Sequence, residues 1–120
     1  MSKQNFFQIK AGDTRPPIRV QLTRDDGAGQ VAIDDDLTGA TVTFRFRSRL
    51  TPTTLYGPFV GTVEDNTEKI VRYEWQPTDW SAITSDTEVE WEVEITYLSG
   101  AIETFPTAGY NLGKVYADID

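Results

Sequence analysis

Apolar and polar side chains alternate along three stretches of this 120-residue chain. Every second residue is apolar in 17–23 (PIRVQLT), in 40–48 (ATVTFRFRS) and, over the longest run, in 88–97 (EVEWEVEITY). A period of two over such lengths is typical of β-strands that bury one face. With the weaker stretch 70–75, the inward-facing set predicts a core of Ile18, Val20, Leu22, Val42, Phe44, Phe46, Tyr73, Trp75, Val89, Trp91, Val93 and Ile95.

Weaker strand patterns and turn residues fill the rest of the chain. Gly27 and Gly100 suit short hairpin turns, and a short turn near 77–83 is the only helical pattern. Strands separated by turns roughly every 8–12 residues predict an all-β protein, either a β-sandwich or a small barrel. The composition agrees, because 47 residues are Val, Ile, Thr or aromatic and only 19 are Ala, Leu, Met or Lys. The weaker strands are predicted at Phe6–Lys10, Phe59–Glu64, Ile70–Trp75, Ala101–Phe105 and Gly113–Ile119.

The first 14 residues are predicted to be an arm, and residues 15–120 to be one domain. Phe6, Phe7 and Ile9 are apolar but belong to no complete alternating pattern. We expect the arm to become ordered on a neighbouring subunit by adding a strand to the edge of its sheet. These three side chains are therefore the candidate assembly residues.

The composition excludes several kinds of site. Without His or Cys, the chain has no Ser-His-Asp or Cys-His nucleophile, no His- or thiolate-bound metal and no disulfide. Its net charge is −8, and residues 61–120 hold 3 basic and 13 acidic side chains, a net charge of −10. This charge disfavours nucleic acid and anionic membranes as partners. No apolar run suffices for a membrane span or a secretory signal, and no cofactor is expected.

Two acidic groups are candidates for chemistry, and each also has a structural interpretation. The run 34–36, with Asp25 and Asp26 nearby, could bind a hard cation through carboxylate oxygens. The spacing of a calcium-binding loop is absent, which favours a solvated turn in which Asp36 accepts backbone hydrogen bonds before Gly39. Strand glutamates spaced two apart could form the carboxylate pair of a glycoside hydrolase. A flat, solvent-facing row provides neither a desolvated acid nor a cleft, so no enzyme activity is expected.

The glutamate row is predicted instead to be a docking surface. Arginines on the outer face of the strand predicted at 40–48 would neutralise the glutamate row if that strand and the one at 88–97 were neighbours. We favour strands on different sheets, because three arginines do not neutralise a half-chain with a net charge of −10. The row would then be free to bind a basic partner. The row consists of Glu88, Glu90, Glu92 and Glu94, and the candidate cations are Arg45, Arg47 and Arg49, with Arg72 as a fourth.

Three segments together resemble one protein family. They are DDLTGATVTFRFRS (35–48), VRYEWQPTDW (71–80) and VEWEVEITYLSGAIETFPTAGYNLGKVYADI (89–119). In this order they are similar to the immunoglobulin-like N-terminal domain of phage baseplate upper proteins, over about residues 15–119. Two features depart from the family: 81–91 lacks its Gly-Tyr entry into the strand, and members of the family continue into linkers and receptor-binding domains. The second departure predicts a freestanding adaptor or decoration subunit.

The resemblance implies an immunoglobulin-like antiparallel β-sandwich of about 7–9 strands. It also implies a virion structural protein, made in the host cytoplasm, that docks a tail, baseplate or other appendage onto the particle. Its partners would be other virion proteins and further copies of itself, and it would have no catalytic residues. The alternatives are a head decoration protein and a carbohydrate- or host-surface-binding module that uses the loop aromatics Tyr56, Trp80 and Tyr110. For Trp80 the favoured interpretation is that it closes one open end of the sandwich.

Overall fold

The computed structural model describes residues 6–25, 27, 29–107 and 109–118. Asp26, Ile119 and the first five residues of the predicted arm lie outside the described residues. The all-β prediction is confirmed, since the described ranges form strands joined by turns and contain no helix. Their ten strands are β1 (Phe6–Lys10), β2 (Ile18–Gln21), β3 (Thr23–Asp25), β4 (Gln30–Ala32), β5 (Thr41–Ser48), β6 (Leu55–Asp65), β7 (Ile70–Tyr73), β8 (Thr87–Thr96), β9 (Ile102–Phe105) and β10 (Asn111–Tyr116).

The strand count exceeds the predicted range because of β3 and β4. Each has three residues, and together they form a separate two-stranded sheet. Alternation cannot be recognised in so short a segment, so the only sequence signal for this hairpin was the predicted turn at Gly27, which lies between the two strands.

The other strands form a nearly closed sandwich. They follow the order β1-β10-β8-β5-β6-β7-β2, and β9 pairs with β8 beside β10. β6 joins the two layers, because its first part pairs with β5 and its last part pairs with β7. The pairs between described strands are antiparallel except for β1 with β10, which run parallel. The strands at the two ends of this path, β1 and β2, are therefore edge strands.

The predicted core is buried, apart from Tyr73, which is half-buried. Its centre is aromatic: the Phe46 ring centroid lies 5.6 Å from that of Trp75 and 6.0 Å from that of Trp91. Trp80 is also fully buried, and its ring centroid is 5.3 Å from that of Phe46. The favoured interpretation of Trp80 as a closing residue thus agrees with the structure, whereas a solvent-exposed binding role does not.

The predicted arm differs from the structure. Strand β1 pairs along its length with Leu112–Tyr116 of its own chain. Ile9 is buried, and the Phe7 ring centroid lies 5.2 Å from that of Trp75. Gly113 makes this docking possible, because a Cβ at that position would lie 2.2 Å from the Phe7 ring. The domain therefore begins within the predicted arm, where Ile9 belongs to the core and the partly buried Phe7 packs against it, so neither is reserved for a neighbour.

Candidate functional sites

The glutamate row faces arginines of the adjacent strand. Strands β5 and β8 are neighbours, which contradicts the prediction that they lie on different sheets. Three of the four glutamates form ion pairs: Arg49–Glu88 at 3.1 Å, Arg47–Glu90 at 2.9 Å and Arg45–Glu94 at 3.3 Å. Solvent-exposed pairs of this kind each contribute only about 0–1 kcal/mol. They nevertheless neutralise most of the row, so the structure does not support an uncompensated acidic docking surface.

Glu92 is the exception in this row. It lies directly opposite Arg45 in the strand register, but the Arg45 guanidinium binds Glu94 instead. Within the described part of the chain, Glu92 has neither an ion-pair partner nor a side-chain hydrogen bond. Its side chain is half-buried and borders a pocket on the outer face of the sheet.

This pocket, which we call the β5 pocket, has a volume of about 210 Å³. Arg45 and Arg47 line it from β5, Glu90 and Glu92 from β8, and the start of β6 forms the opposite wall. Tyr110, in the turn before β10, lies over the Arg47 guanidinium, with 4.1 Å between the guanidinium carbon and the ring centroid. The hydrogen bond from Arg47 to Glu90 raises the pKa of Arg47, so this cation stays charged.

Two of the three predicted loop aromatics border the β5 pocket. Tyr56 and Tyr110 both line it. Trp80 does not reach it, but its ring centroid lies 5.3 Å from that of Tyr56 and so supports that side chain from the core. Tyr56 lies in β6 rather than in a loop, whereas Tyr110 lies in the turn before β10. Because the two are far apart in the chain, alternation could not have indicated this grouping.

A second concave region lies where the sandwich is not closed. This β1–β2 seam is lined by Phe6, Phe7 and Gln8 of β1 and by Ile18 and Arg19 of β2, and has a volume of about 410 Å³. The core residues Trp75 and Trp91 lie beneath it. Each of the two strands pairs with a described strand on one side only.

Backbone groups of β1 point into this seam. The N–H of Ala11 donates to the Tyr116 carbonyl at 2.8 Å, so Ala11 faces β10. The carbonyl of Lys10 instead accepts from the Asp13 N–H at 3.0 Å, on the side away from β10. Because backbone groups alternate between the two sides of a strand, the N–H of Gln8 points to the free edge.

The acidic loop 34–36 is a hydrogen-bonded turn, as its structural interpretation predicted. Asp36 Oδ1 accepts hydrogen bonds from the Asn66 side chain at 2.7 Å and from the Thr38 N–H at 3.0 Å. Lys69 Nζ donates to the Asp35 carbonyl at 2.7 Å and so ties the loop to the β6–β7 turn. No group of three or more acidic side chains suited to a metal ion occurs among the residues that the structure describes.

We predict that Asp36→Asn lowers the melting temperature at neutral pH, and that the difference from wild type disappears near pH 2. Hydrogen bonds from Asn66 and Thr38 hold the pKa of Asp36 at about 2, below its ordinary 3.8. The native state therefore binds this proton less readily than the unfolded state. The resulting stabilisation is complete above pH 3.8 and is lost as the pH falls through about 2. Parallel thermal melts across this range test it, and a difference that stays constant with pH would show that the Asp36 charge is not its source.

Sequence reasoning missed an ion-pair network at one end of the sandwich. Arg24 of β3 donates to Glu103 of β9 at 2.7 Å and forms an ion pair with Asp35 at 3.0 Å. Tyr97 also donates to Glu103, at 2.8 Å. The Arg24 hydrogen bonds lower the pKa of Glu103, whereas burial and Glu103 raise the pKa of Tyr97. The network links the small sheet to the main one. Its residues are far apart in the chain, so local sequence patterns could not have indicated it.

Comparisons with known proteins returned no match. No protein-family model matches the chain, and neither a curated protein nor a solved structure is significantly similar to it. In the described ranges, no helix has the length and apolar character needed to cross a membrane.

Proposed function

We propose that the chain is a structural subunit of a bacteriophage particle, an immunoglobulin-like module that docks a tail, baseplate or other appendage onto it. Two observations support this proposal. Three segments resemble those of a baseplate domain and occur in the same order, and the fold is a nearly closed sandwich. Its partners are other virion structural proteins and neighbouring copies of the chain. Folds of this kind serve many functions, so the assembly role rests on a particular surface rather than on the fold.

The β1–β2 seam is the observation that carries the proposal. Two edge strands border it, and unpaired edges readily accept a strand from another chain. Its lining combines apolar side chains, among them Phe6 and Phe7, with the polar Gln8 and Arg19, and Phe6 at its rim remains 59% exposed. A strand added from a neighbouring subunit would pair with the outward backbone groups of β1 and cover Phe6. This reverses the predicted arm: β1 serves as the acceptor of a strand and not as the donor.

The experiment is to block the free edge of β1 without disturbing its pairing with β10. Gln8→Pro removes an N–H that faces the seam, and proline is tolerated on edge strands at such positions. Gln8→Ala is the matched control, because it loses the same weak side-chain hydrogen bond to Tyr116 (3.3 Å) but keeps the N–H. We expect both variants to fold with similar melting temperatures. Only Gln8→Pro should fail to enter particles, as measured by immunoblotting of purified virions.

Two outcomes would contradict the proposal. If antibodies to the chain detect none of it in particles purified from the lysed source culture, the virion assignment is wrong. If the chain is present and Gln8→Pro enters particles as well as Gln8→Ala does, the subunit docks through a surface other than the seam.

A further inference from the structure

We propose that the β5 pocket binds one neutral sugar ring. The pocket lies on the outer face of β5, where that strand is flanked by β6 and β8, whereas the seam lies between β1 and β2. Sugar binding is therefore independent of the assembly role and uses none of the backbone groups assigned to it.

The charge of the pocket selects a neutral ligand. Arg45 and Arg47 supply two positive charges, and Glu90 and Glu92 supply two negative ones. Because the two signs balance, the pocket offers an ion no net attraction that would offset the loss of its hydration, which is costly for a charge. A polyhydroxylated neutral molecule avoids this desolvation penalty and can use both kinds of group as hydrogen-bond partners.

Two of these side chains have hydrogen-bonding capacity to spare. Glu92 is half-buried and makes no side-chain hydrogen bond to any residue described, so both of its oxygens can accept from hydroxyl groups. Arg45 donates to Glu94 through one nitrogen only, at 3.3 Å, and its side chain is 49% exposed. A guanidinium has five N–H donors, so several remain for ligand oxygens. Adjacent hydroxyls of a pyranose, each both donor and acceptor, match this pair of acceptor and donor groups.

Tyr110 supplies an aromatic surface for the apolar face of a sugar. The residue is 36% exposed, and one face of its ring is held against the Arg47 guanidinium, so a sugar would stack on the opposite face. The negative face of an aromatic ring attracts the weakly positive C–H groups of a pyranose. A volume of about 210 Å³ is below the roughly 300–1,000 Å³ of pockets that hold drug-sized ligands. The pocket therefore suits a single ring, at the end of a glycan or as one unit of it.

The test is an NMR titration of the isotope-labelled chain with a panel of methyl glycosides of glucose, galactose, rhamnose and N-acetylglucosamine. We expect at least one of them to shift the backbone resonances of Glu92 and Tyr110 saturably, with glucuronate and glucosamine binding more weakly than the matching neutral sugar. Glu92→Gln and Tyr110→Ala should each raise Kd by about tenfold, in line with the loss of a charged hydrogen bond or a stacked ring. Glu88→Gln is the matched control, because this glutamate belongs to the same row but lies outside the pocket, and its Kd should not change.

The absence of saturable shifts at the pocket with every neutral glycoside would overturn the proposal. So would tighter binding of a charged sugar, or equal affinity of Glu92→Gln, Tyr110→Ala and the control. Entry of the pocket variants into particles would be unaffected in each case, so these results are distinguishable from failure of the assembly role.

Discussion

Trp91→Ala is expected to lower the free energy of unfolding by about 3–5 kcal/mol. The Trp91 side chain is 1% exposed, lies at the middle of β8, and has its ring centroid 5.9 Å from that of Phe7 and 6.0 Å from that of Phe46. Its Nε1 donates to the Leu112 carbonyl at 2.9 Å. Truncation would leave a large cavity between the layers and remove the hydrogen bond to the Leu112 carbonyl. The loss is a large part of the 5–15 kcal/mol that typically stabilises a whole domain.

Urea unfolding monitored by circular dichroism measures this loss, with Trp91→Phe as the control. Phenylalanine keeps most of the ring volume and loses the hydrogen bond to Leu112, so it should cost about 1 kcal/mol from that bond and a smaller cavity term. A Trp91→Ala variant that unfolds at nearly the wild-type urea concentration would mean that Trp91 does not face the core.

Phe7→Ala is expected to cost about 3 kcal/mol, whereas Phe6→Ala next to it should cost less than about 1 kcal/mol. The two residues are neighbours on the same strand but point to opposite faces. The Phe7 ring contacts Phe46, Trp75, Trp80 and Trp91. Phe6 is 59% exposed. Parallel thermal and urea unfolding of the two variants measures the difference.

This pair decides whether β1 belongs to the domain. An arm that becomes ordered only on a neighbouring subunit would make both substitutions equally harmless to the isolated chain.

Gly113→Ala provides an independent check, because its methyl group would overlap the Phe7 ring. It should lower stability by about 1–3 kcal/mol, as overpacking of a core commonly does, and it should do so only while Phe7 is present. Additive losses in the Gly113→Ala, Phe7→Ala double variant would contradict this contact.

The corrected predictions share one physical origin. Alternation along 40–48 and 88–97 predicted which arginines and glutamates face outward, and that prediction was correct. Whether these arginines and glutamates form ion pairs depends on whether their strands are neighbours. The net charge of residues 61–120 was a poor guide to this. Charge balance over 60 residues does not determine a contact that acts over about 3–4 Å.

The fold class and the inward-facing residues were determined by the sequence itself, because the two-residue period of a strand is a local property. The pairing of β1 with β10, the ion pairs between β5 and β8, and the placement of Tyr56 and Tyr110 at one pocket were decided only by the tertiary structure. Each of these joins residues that are tens of positions apart in the chain. Such contacts arise from the order in which strands pair and from the fit of particular surfaces, such as the Phe7 ring over Gly113. Neither leaves a periodic signal along the chain, so the seam and the β5 pocket exist only once the sheets have formed.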